Sequence, residues 1–258
     1  KKSTIFAALA LIVLTFSFTF PMIGFHGVLN KIDEGHKDEI HSFSKVIWNL
    51  YNQGRYKSTT TPKKAHNDLD QMIATSSEIG VASMPIWFVS LEAPNYPKEA
   101  FPEGIPVYFH FDGFSGAVHE MNTINLYVGM DPMWTGGTLE REIGIYALLL
   151  FSLIMVYFIA YNHKFLNYLM LIPVSLPLLF IADYSYWLYW FGHNLHDWGA
   201  FKIKPFMPTV FGDGKVAQFT THSYPTIGFY LLVLISLFSL LAFIARNKAN
   251  KEQKSVAA

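Results

Sequence analysis

The sequence predicts an α-helical membrane protein with four transmembrane helices and a small extracytoplasmic α+β module. Three observations support this class: 52% of the 258 residues are hydrophobic, the mean hydropathy is +0.26, and four apolar runs are long enough to cross a bilayer. The runs divide the chain into transmembrane helices at 1–24, 143–161, 165–190 and 225–246, a module at 25–142, an outer loop at 191–224 and a tail at 247–258.

The first apolar run follows Lys1 and Lys2, as the apolar centre of a signal peptide does. Its end is rich in large residues, including Phe20, Met22 and Phe25, and shows no small-residue cleavage pattern. We therefore expect an uncleaved membrane anchor. The tail is short and charged, and we expect it to fray.

Basic residues near the ends of the apolar runs predict the orientation. If four helices cross the bilayer in sequence, one side collects Lys1, Lys2, Lys164, Arg246, Lys248, Lys251 and Lys254. This side should be the cytoplasm. The protein is thus predicted to be a multi-pass inner (cytoplasmic) membrane protein, with residues 25–142 and 191–224 facing the periplasm.

Within the module, helical spacing of apolar residues predicts an amphipathic helix at 33–51 and a second helix at 67–79. Short segments rich in β-branched and aromatic residues then predict strands within 81–94, 104–116 and 123–134. Thr138, with the acidic residues that follow it, is predicted to cap the second membrane helix.

Composition excludes several classes of function. The chain has no cysteine, which excludes c-type haem attachment, thiolate iron–sulfur clusters, thiolate copper centres and disulfides. Its formal net charge is zero, which argues against a nucleic-acid partner. No phosphate loop, nucleophile elbow or HExxH motif is present. Catalysis is left open, and a non-catalytic subunit or accessory protein is favoured.

Histidines in the stretch 183–225 suggest a metal site. His193 and His196 are three residues apart and would share a helix face if the third span continued one turn further, and His222 precedes the fourth span. With Asp197, or with Met207, they would form a three- or four-ligand site suited to copper or zinc, and we predict copper. The alternative is that these histidines lie in an interfacial aromatic belt.

Asp183 is a carboxylate near the outer end of an apolar span, where it needs a partner, a proton or water. Helical spacing places it on one face with Trp187 and Trp190. Together with Trp198, these residues predict a surface for a partner or a quinol, and local capping by Asp183 is the alternative. His36 and His41 are five residues apart, about 140° out of phase on a helix, and so are poor joint ligands. For His110, Asp112, His119 and Glu120, beside a predicted turn, a hydrogen-bonded surface pair is favoured over a hairpin metal site.

The stretch YWFGHNLHDWGAFKIKPFMPTVFGDGKVAQFTTHSYP, between two spans of a cysteine-free protein, resembles the NosB-type transmembrane accessory proteins encoded with clade II nitrous oxide reductases. The resemblance implies a membrane accessory or anchoring partner of a periplasmic copper oxidoreductase. Two alternatives stay open: a copper-dependent membrane enzyme subunit with a histidine site at the outer membrane face, and a small-molecule-binding membrane protein.

Overall fold

A computed structural model describes residues 1–19, 84–94, 101–111, 113–197, 199–200 and 202–256. In these residues, three helices are long and apolar enough to cross a membrane, and five short strands form one antiparallel sheet. The helices predicted at 33–51 and 67–79 lie outside the described residues, as do Asp112 and Trp198.

The three candidate membrane spans run over Thr138–Ala160, Asn167–His193 and Ile227–Gln253. The described helices are α1 (Lys2–Thr19), α2 (Val118–Val128), α3 (Thr138–Ala160), α4 (Lys164–Leu169), α5 (Leu171–His193) and α6 (Ile227–Val256), with a 3₁₀ turn at Met133–Thr135. The helix α1 is apolar but shorter than the three candidate spans. The chain is therefore a membrane protein whose apolar helices contact lipid.

Two predictions about helix ends are wrong. The tail does not fray before Val256, because α6 continues through residues of high helix propensity and an ion pair, 4.0 Å long, between Lys248 and Glu252. Thr138 does not cap α3. Its hydroxyl donates to the carbonyl of Thr135, and the N-cap position is Gly137 in the left-handed region.

The three candidate membrane spans and the shorter helix α1 pack as a row in the order α3, α1, α6, α5. Their shared core includes Ala7, Ala10 and Ala242, which are fully buried, and the larger side chains of Met155 and Ile235. Small residues allow helix backbones to approach closely in an apolar environment. The long helix α6 is therefore the centre of the described bundle, with α1 on one flank and α5 on the other.

The sheet has the strand order β3-β2-β1-β5-β4. Its strands are β1 (Trp87–Glu92), β2 (Ile105–Phe109), β3 (Phe114–Gly116), β4 (Gly212–Val216) and β5 (Phe219–Pro225). The predictions of strands within 81–94 and 104–116 are confirmed. The segment predicted as an outer loop at 191–224 supplies β4 and most of β5, and β5 pairs directly with β1.

The prediction of a strand within 123–134 is wrong, because this segment forms most of α2 and the 3₁₀ turn. The helix α2 is buried on nearly all sides, including the polar Asn122 and Thr123. A helix buried all round lacks the polar face that reveals a 3.6-residue period. The alternation of Ile124, Leu126 and Val128 then imitates a strand pattern.

Candidate functional site

Trp87 joins the sheet to the membrane helices. Its side chain is 1% exposed, and its indole Nε1 donates to the Ser223 hydroxyl at 2.8 Å. Its ring centroid lies 5.8 Å from Phe180 and 5.4 Å from Tyr184, both on α5, and 5.3 Å from Phe229 on α6. Aromatic packing of this kind fixes the sheet against the middle of α5 and the first turn of α6.

Beside this cluster lies a cavity of about 440 Å³. Its walls are one face of the sheet, the helix α2, α3 as far as Phe151 and α5 as far as Leu176, with Leu232 of α6. Most of the described lining is apolar, and it includes Val89, Phe109, Ile124, Met133 and Phe180. A largely apolar cavity of this size with a few polar groups is typical of a small-molecule site.

The charged groups of the described lining lie close together, where the start of α3 approaches the middle of α5. They are Glu140 and Arg141 in the first turn of α3 and Asp183 on α5. The indole Nε1 of Trp187 donates to Oε1 of Glu140 at 3.2 Å. The guanidinium of Arg141 lies 5.2 Å from the ring centroid of Phe114 and donates to the carbonyl of Gly136.

The two carboxyl groups form a pair. The Asp183 side chain lies beside those of Glu140 and Trp187. Oε2 of Glu140 is buried and receives no hydrogen bond from an amide, amine or hydroxyl group of the described residues. Because a carboxyl group donates only when protonated, the pair is complete when it holds a proton or meets a donor from a ligand.

The structure separates His193 from His196. The helix α5 ends at His193, so His196 does not continue its face, and this part of the prediction is wrong. The chain then folds back across the last turn of α5 so closely that a Cβ at Gly192 would lie 1.9 Å from the carbonyl oxygen of Phe206. The backbone N–H of His196 donates to the carbonyl of Gly129 instead.

Each predicted metal ligand has different surroundings. The His193 ring stacks on Tyr189 at 3.8 Å, and its Nδ1 lies 2.9 Å from the carbonyl oxygen of the same residue. Nε2 of His196 lies 2.7 Å from Oδ2 of Asp131, while Asp197 is exposed. No group of three His, Cys, Asp or Glu is arranged to hold a metal ion in the described part of the chain.

His222 lies on the opposite face of the sheet from the cavity. Successive side chains of a strand point to opposite faces, so Ser223 meets Trp87 and Tyr184 while His222 points the other way. Its Nδ1 lies 2.6 Å from Oδ1 of Asp213, and its Nε2 lies 3.2 Å from Oε1 of Glu92. Strand alternation thus keeps His222 away from the other two histidines.

Hydrogen bonds shift the protonation of this outer-face cluster. The contact with Asp213 raises the pKa of His222, and the contact with Glu92 adds to the shift. Hydrogen bonds from His222 and Tyr224 hold the pKa of Asp213 below its ordinary value. The bond to Asp213 in turn raises the pKa of Tyr224. His222 and Asp213 therefore favour their charged forms.

Of the surface predicted for a partner or quinol, Asp183 and Trp187 line the cavity. The Trp190 ring packs edge-on against Trp187 at 5.6 Å, behind that lining. The surface position predicted for the set of His110 and Glu120 is wrong, because both residues are buried. Nε2 of His110 lies 2.7 Å from the Ser115 hydroxyl.

Sequence reasoning missed Glu140 and Arg141 as site residues and assigned Glu140 to helix capping. A signal was present. Antiparallel helices joined by a short connection place residues at equal distance from that connection side by side. Glu140 and Asp183 lie at nearly equal distances, before and after the connection at 161–163. Two acidic residues placed in this way predict a facing pair.

The fold and the cavity define a helical membrane protein with a sheet-covered cavity at one end of its helices. Comparisons of the chain with protein-family models, with curated proteins and with solved structures find no match. The resemblance to NosB-type accessory proteins is therefore carried by the stretch 189–225 and the hydropathy pattern alone.

Proposed function

We propose that this chain is a four-span inner-membrane protein that binds a small amphipathic molecule in the cavity, with the sheet on the periplasmic side. The cavity is the observation that carries the proposal, because apolar walls enclose it and charged groups cluster at one place. Within the classes considered from the sequence, this is the small-molecule-binding membrane protein.

The fourth span of this proposal is α1. Its 18 residues correspond to about 27 Å of helix, close to the thickness of a bilayer core. The helix packs along α6 and α3, and Ala7, Ala10 and Leu14 contribute to the same core as those two helices. Exposed Lys1 and Lys2 precede it, in keeping with a cytoplasmic start.

The lining defines the chemistry of the ligand. An apolar body would contact side chains such as Phe109, Ile124 and Met133. A polar end with a hydroxyl group would donate to the carboxyl pair of Glu140 and Asp183 and accept from Arg141. A phenol-like or hydroquinone-like molecule meets both requirements, so the predicted quinol surface falls within this class.

The test uses 4-propylphenol as the probe, with the protein in lipid nanodiscs and empty nanodiscs as the blank. We expect saturable binding that Glu140→Gln weakens roughly tenfold, because hydrogen bonds to an ionised acceptor are about twice as strong as neutral ones. Glu142→Gln is the matched control, since Glu142 is exposed and lies outside the described lining. Absence of saturable binding, or equal weakening by both substitutions, would contradict the proposal.

A second candidate function is the accessory role beside a periplasmic copper oxidoreductase. The exposed surface of the sheet region favours it, because Phe211 is 66% exposed and packs against Tyr224, next to the polar cluster of His222, Asp213 and Glu92. Exposed aromatic side chains beside polar groups are typical of protein interfaces.

Photo-crosslinking in native membranes tests this role. A photoreactive residue at Phe211 should capture a copper-containing oxidoreductase, whereas one at Leu178 on α5, which is 76% exposed and faces lipid, should not. Capture of lipid alone at both positions would remove the candidate.

Copper binding by this chain itself stays a prediction. The structure gives His193, His196 and His222 separate surroundings, so binding would require these segments to move together. Copper content is measured in purified protein and in the triple alanine variant at these positions. Copper that is bound to the unaltered protein and lost from the variant would support the site, and equal content would show the ligand prediction to be wrong.

A further inference from the structure

We propose that the cavity opens sideways into the bilayer between α3 and α5, and that this cleft holds the hydrocarbon tail of a membrane-dissolved ligand. The proposal rests on the ligand-binding function above and deepens it. It assigns the ligand to the class of amphiphiles with a polar head and an alkyl or isoprenoid tail.

The helices α3 and α5 meet at the sheet end of the bundle. At the sheet end, α3 and α5 meet through the hydrogen bond between Glu140 and Trp187. Gly136 approaches Phe191 so closely there that a Cβ would lie 2.8 Å from its ring. Further along the described bundle, α1 packs on α3 and α6 packs on α5, so α3 and α5 stand at the two ends of the row.

The cavity extends along the membrane helices. Its lining continues along α3 to Phe151 and along α5 to Leu176. At the rise of an α-helix, these residues lie about 16 Å beyond Glu140 and about 10 Å beyond Asp183. Both stretches belong to candidate membrane spans. This part of the cavity is therefore at bilayer depth.

The cleft between α3 and α5 is apolar and partly exposed. Beyond the charged cluster, the described lining on α3, α5 and α6 is entirely apolar: Ile143, Gly144, Ala147, Phe151, Leu176, Leu179, Phe180 and Leu232. At its rim, Leu179 is 54% exposed and Ile143 is 49% exposed. Exposed apolar side chains at this depth face lipid, so a tail can pass between the bilayer and the cleft without crossing water.

The cleft matches an amphiphile that is dissolved in the bilayer. An amphiphile in a bilayer holds its polar head near the membrane surface and its tail in the hydrocarbon core. The part of the cavity between α3 and α5 has the same order, with Glu140, Arg141 and Asp183 near the sheet and apolar walls below them. A ligand can therefore move into the cleft sideways and keep its orientation.

The experiment compares 4-nonylphenol with 4-propylphenol in nanodiscs, with each probe expressed as a mole fraction of the bilayer. This scale is needed because a tail gains little on moving from lipid to an equally apolar cleft. In the unaltered protein the two probes should bind within about threefold of each other. Leu179→Trp should weaken the binding of 4-nonylphenol roughly tenfold, because the larger side chain overpacks the cleft, and should change the affinity for 4-propylphenol by less than about twofold.

Leu178→Trp is the matched control, because Leu178 is the neighbouring leucine, is 76% exposed and lies outside the described lining. It should change neither affinity. Ala147→Leu narrows the cleft from the opposite wall and should also weaken the binding of 4-nonylphenol alone. It provides a second test in case Leu179→Trp does not fold.

The outcomes separate the two proposals. If 4-propylphenol binds but Leu179→Trp and Ala147→Leu weaken both probes equally, or neither probe, the cleft inference is overturned and the cavity function stands. If neither probe binds the unaltered protein, the cavity function itself fails. A loss of 4-nonylphenol binding in Leu178→Trp as large as that in Leu179→Trp would also overturn the cleft.

Discussion

The two flanks of the helix bundle, the contact between α1 and α6 and the cleft between α3 and α5, have similar apolar composition but pack differently. Between α1 and α6 the core is closed, and Ala7, Ala10 and Ala242 are fully buried. Between α3 and α5 the facing side chains are larger and partly exposed, with Leu179 and Ile143 at the rim of a cavity. Small residues let backbones meet, whereas large ones on helices held apart leave room for a ligand.

Polar contacts secure the bundle at both ends. At the end away from the sheet, Arg246 donates to the carbonyl of Tyr161 at 3.0 Å and lies 3.5 Å from the ring centroid of Phe158. The side chains of Asn167 and Asn247 are hydrogen-bonded nearby. At the sheet end, α3 is bonded to α5 instead, through Glu140 and Trp187. Besides packing on α1, the helix α3 is therefore bonded to α5 at the sheet end and meets α6 at the other end, and the open cleft lies between these two contacts.

The largest expected effect comes from removing the aromatic junction around Trp87, which lies beside the cavity. Trp87→Ala should lower the free energy of unfolding by about 3–5 kcal/mol, because it empties a buried site and removes the hydrogen bond to Ser223. Phe88→Ala on the other face of β1 is the control and should cost less, because Phe88 is partly exposed. Denaturant unfolding in detergent measures both. Equal losses would show that the junction does not hold the sheet on the helices.

The next effect compares the two flanks with the same substitution. Ala10→Leu should destabilise the protein by about 1–3 kcal/mol, because the closed contact between α1 and α6 has no space for three further carbons. Ala147→Leu projects into the cleft and should cost less than about 1 kcal/mol. Thermal unfolding of the two variants in one detergent measures the difference. If Ala147→Leu were as costly as Ala10→Leu, the cleft would be closed.

The smallest effect concerns pH and lies away from both flanks. Because the folded pKa of His222 is raised above its ordinary 6.5, its contribution to stability is complete below pH 6.5 and is lost as the pH rises through the folded pKa. Because the pKa of Asp213 is lowered from 3.8, its contribution is present above pH 3.8 and is lost as the pH falls through the folded value. The pair therefore stabilises most between those two limits.

This contribution should be small, since Asp213 is 62% exposed and water screens the pair. An NMR titration of the His222 ring should give a midpoint above the ordinary value. Asp213→Asn, which removes the partner charge, should move the midpoint down. A midpoint that stays unchanged in Asp213→Asn would contradict the assigned cause. The effects of Trp87→Ala and Ala10→Leu should not vary across the same pH range.

Part of the candidate site could be predicted from the sequence. A carboxylate and an indole on one face of an apolar helix need partners, which points to Asp183 and Trp187, and both line the cavity. The sequence does not point to Glu140, because a carboxylate in the first turn of a helix has an adequate local explanation. Its contact with Trp187 spans 47 residues of chain and depends on how α3 and α5 pack.

Hydropathy by itself determined the membrane class of this protein and the positions of its three long apolar helices, because the need to bury twenty apolar residues in lipid is a local property of the chain. The tertiary structure decided the rest. It joined β1, β2 and β3 with β4 and β5 into one sheet, set a register that turns Ser223 toward Trp87 and His222 to the opposite face, and held α3 and α5 apart below the sheet. These outcomes depend on pairings between distant segments, and a one-residue change of register would reverse which side chain faces the site.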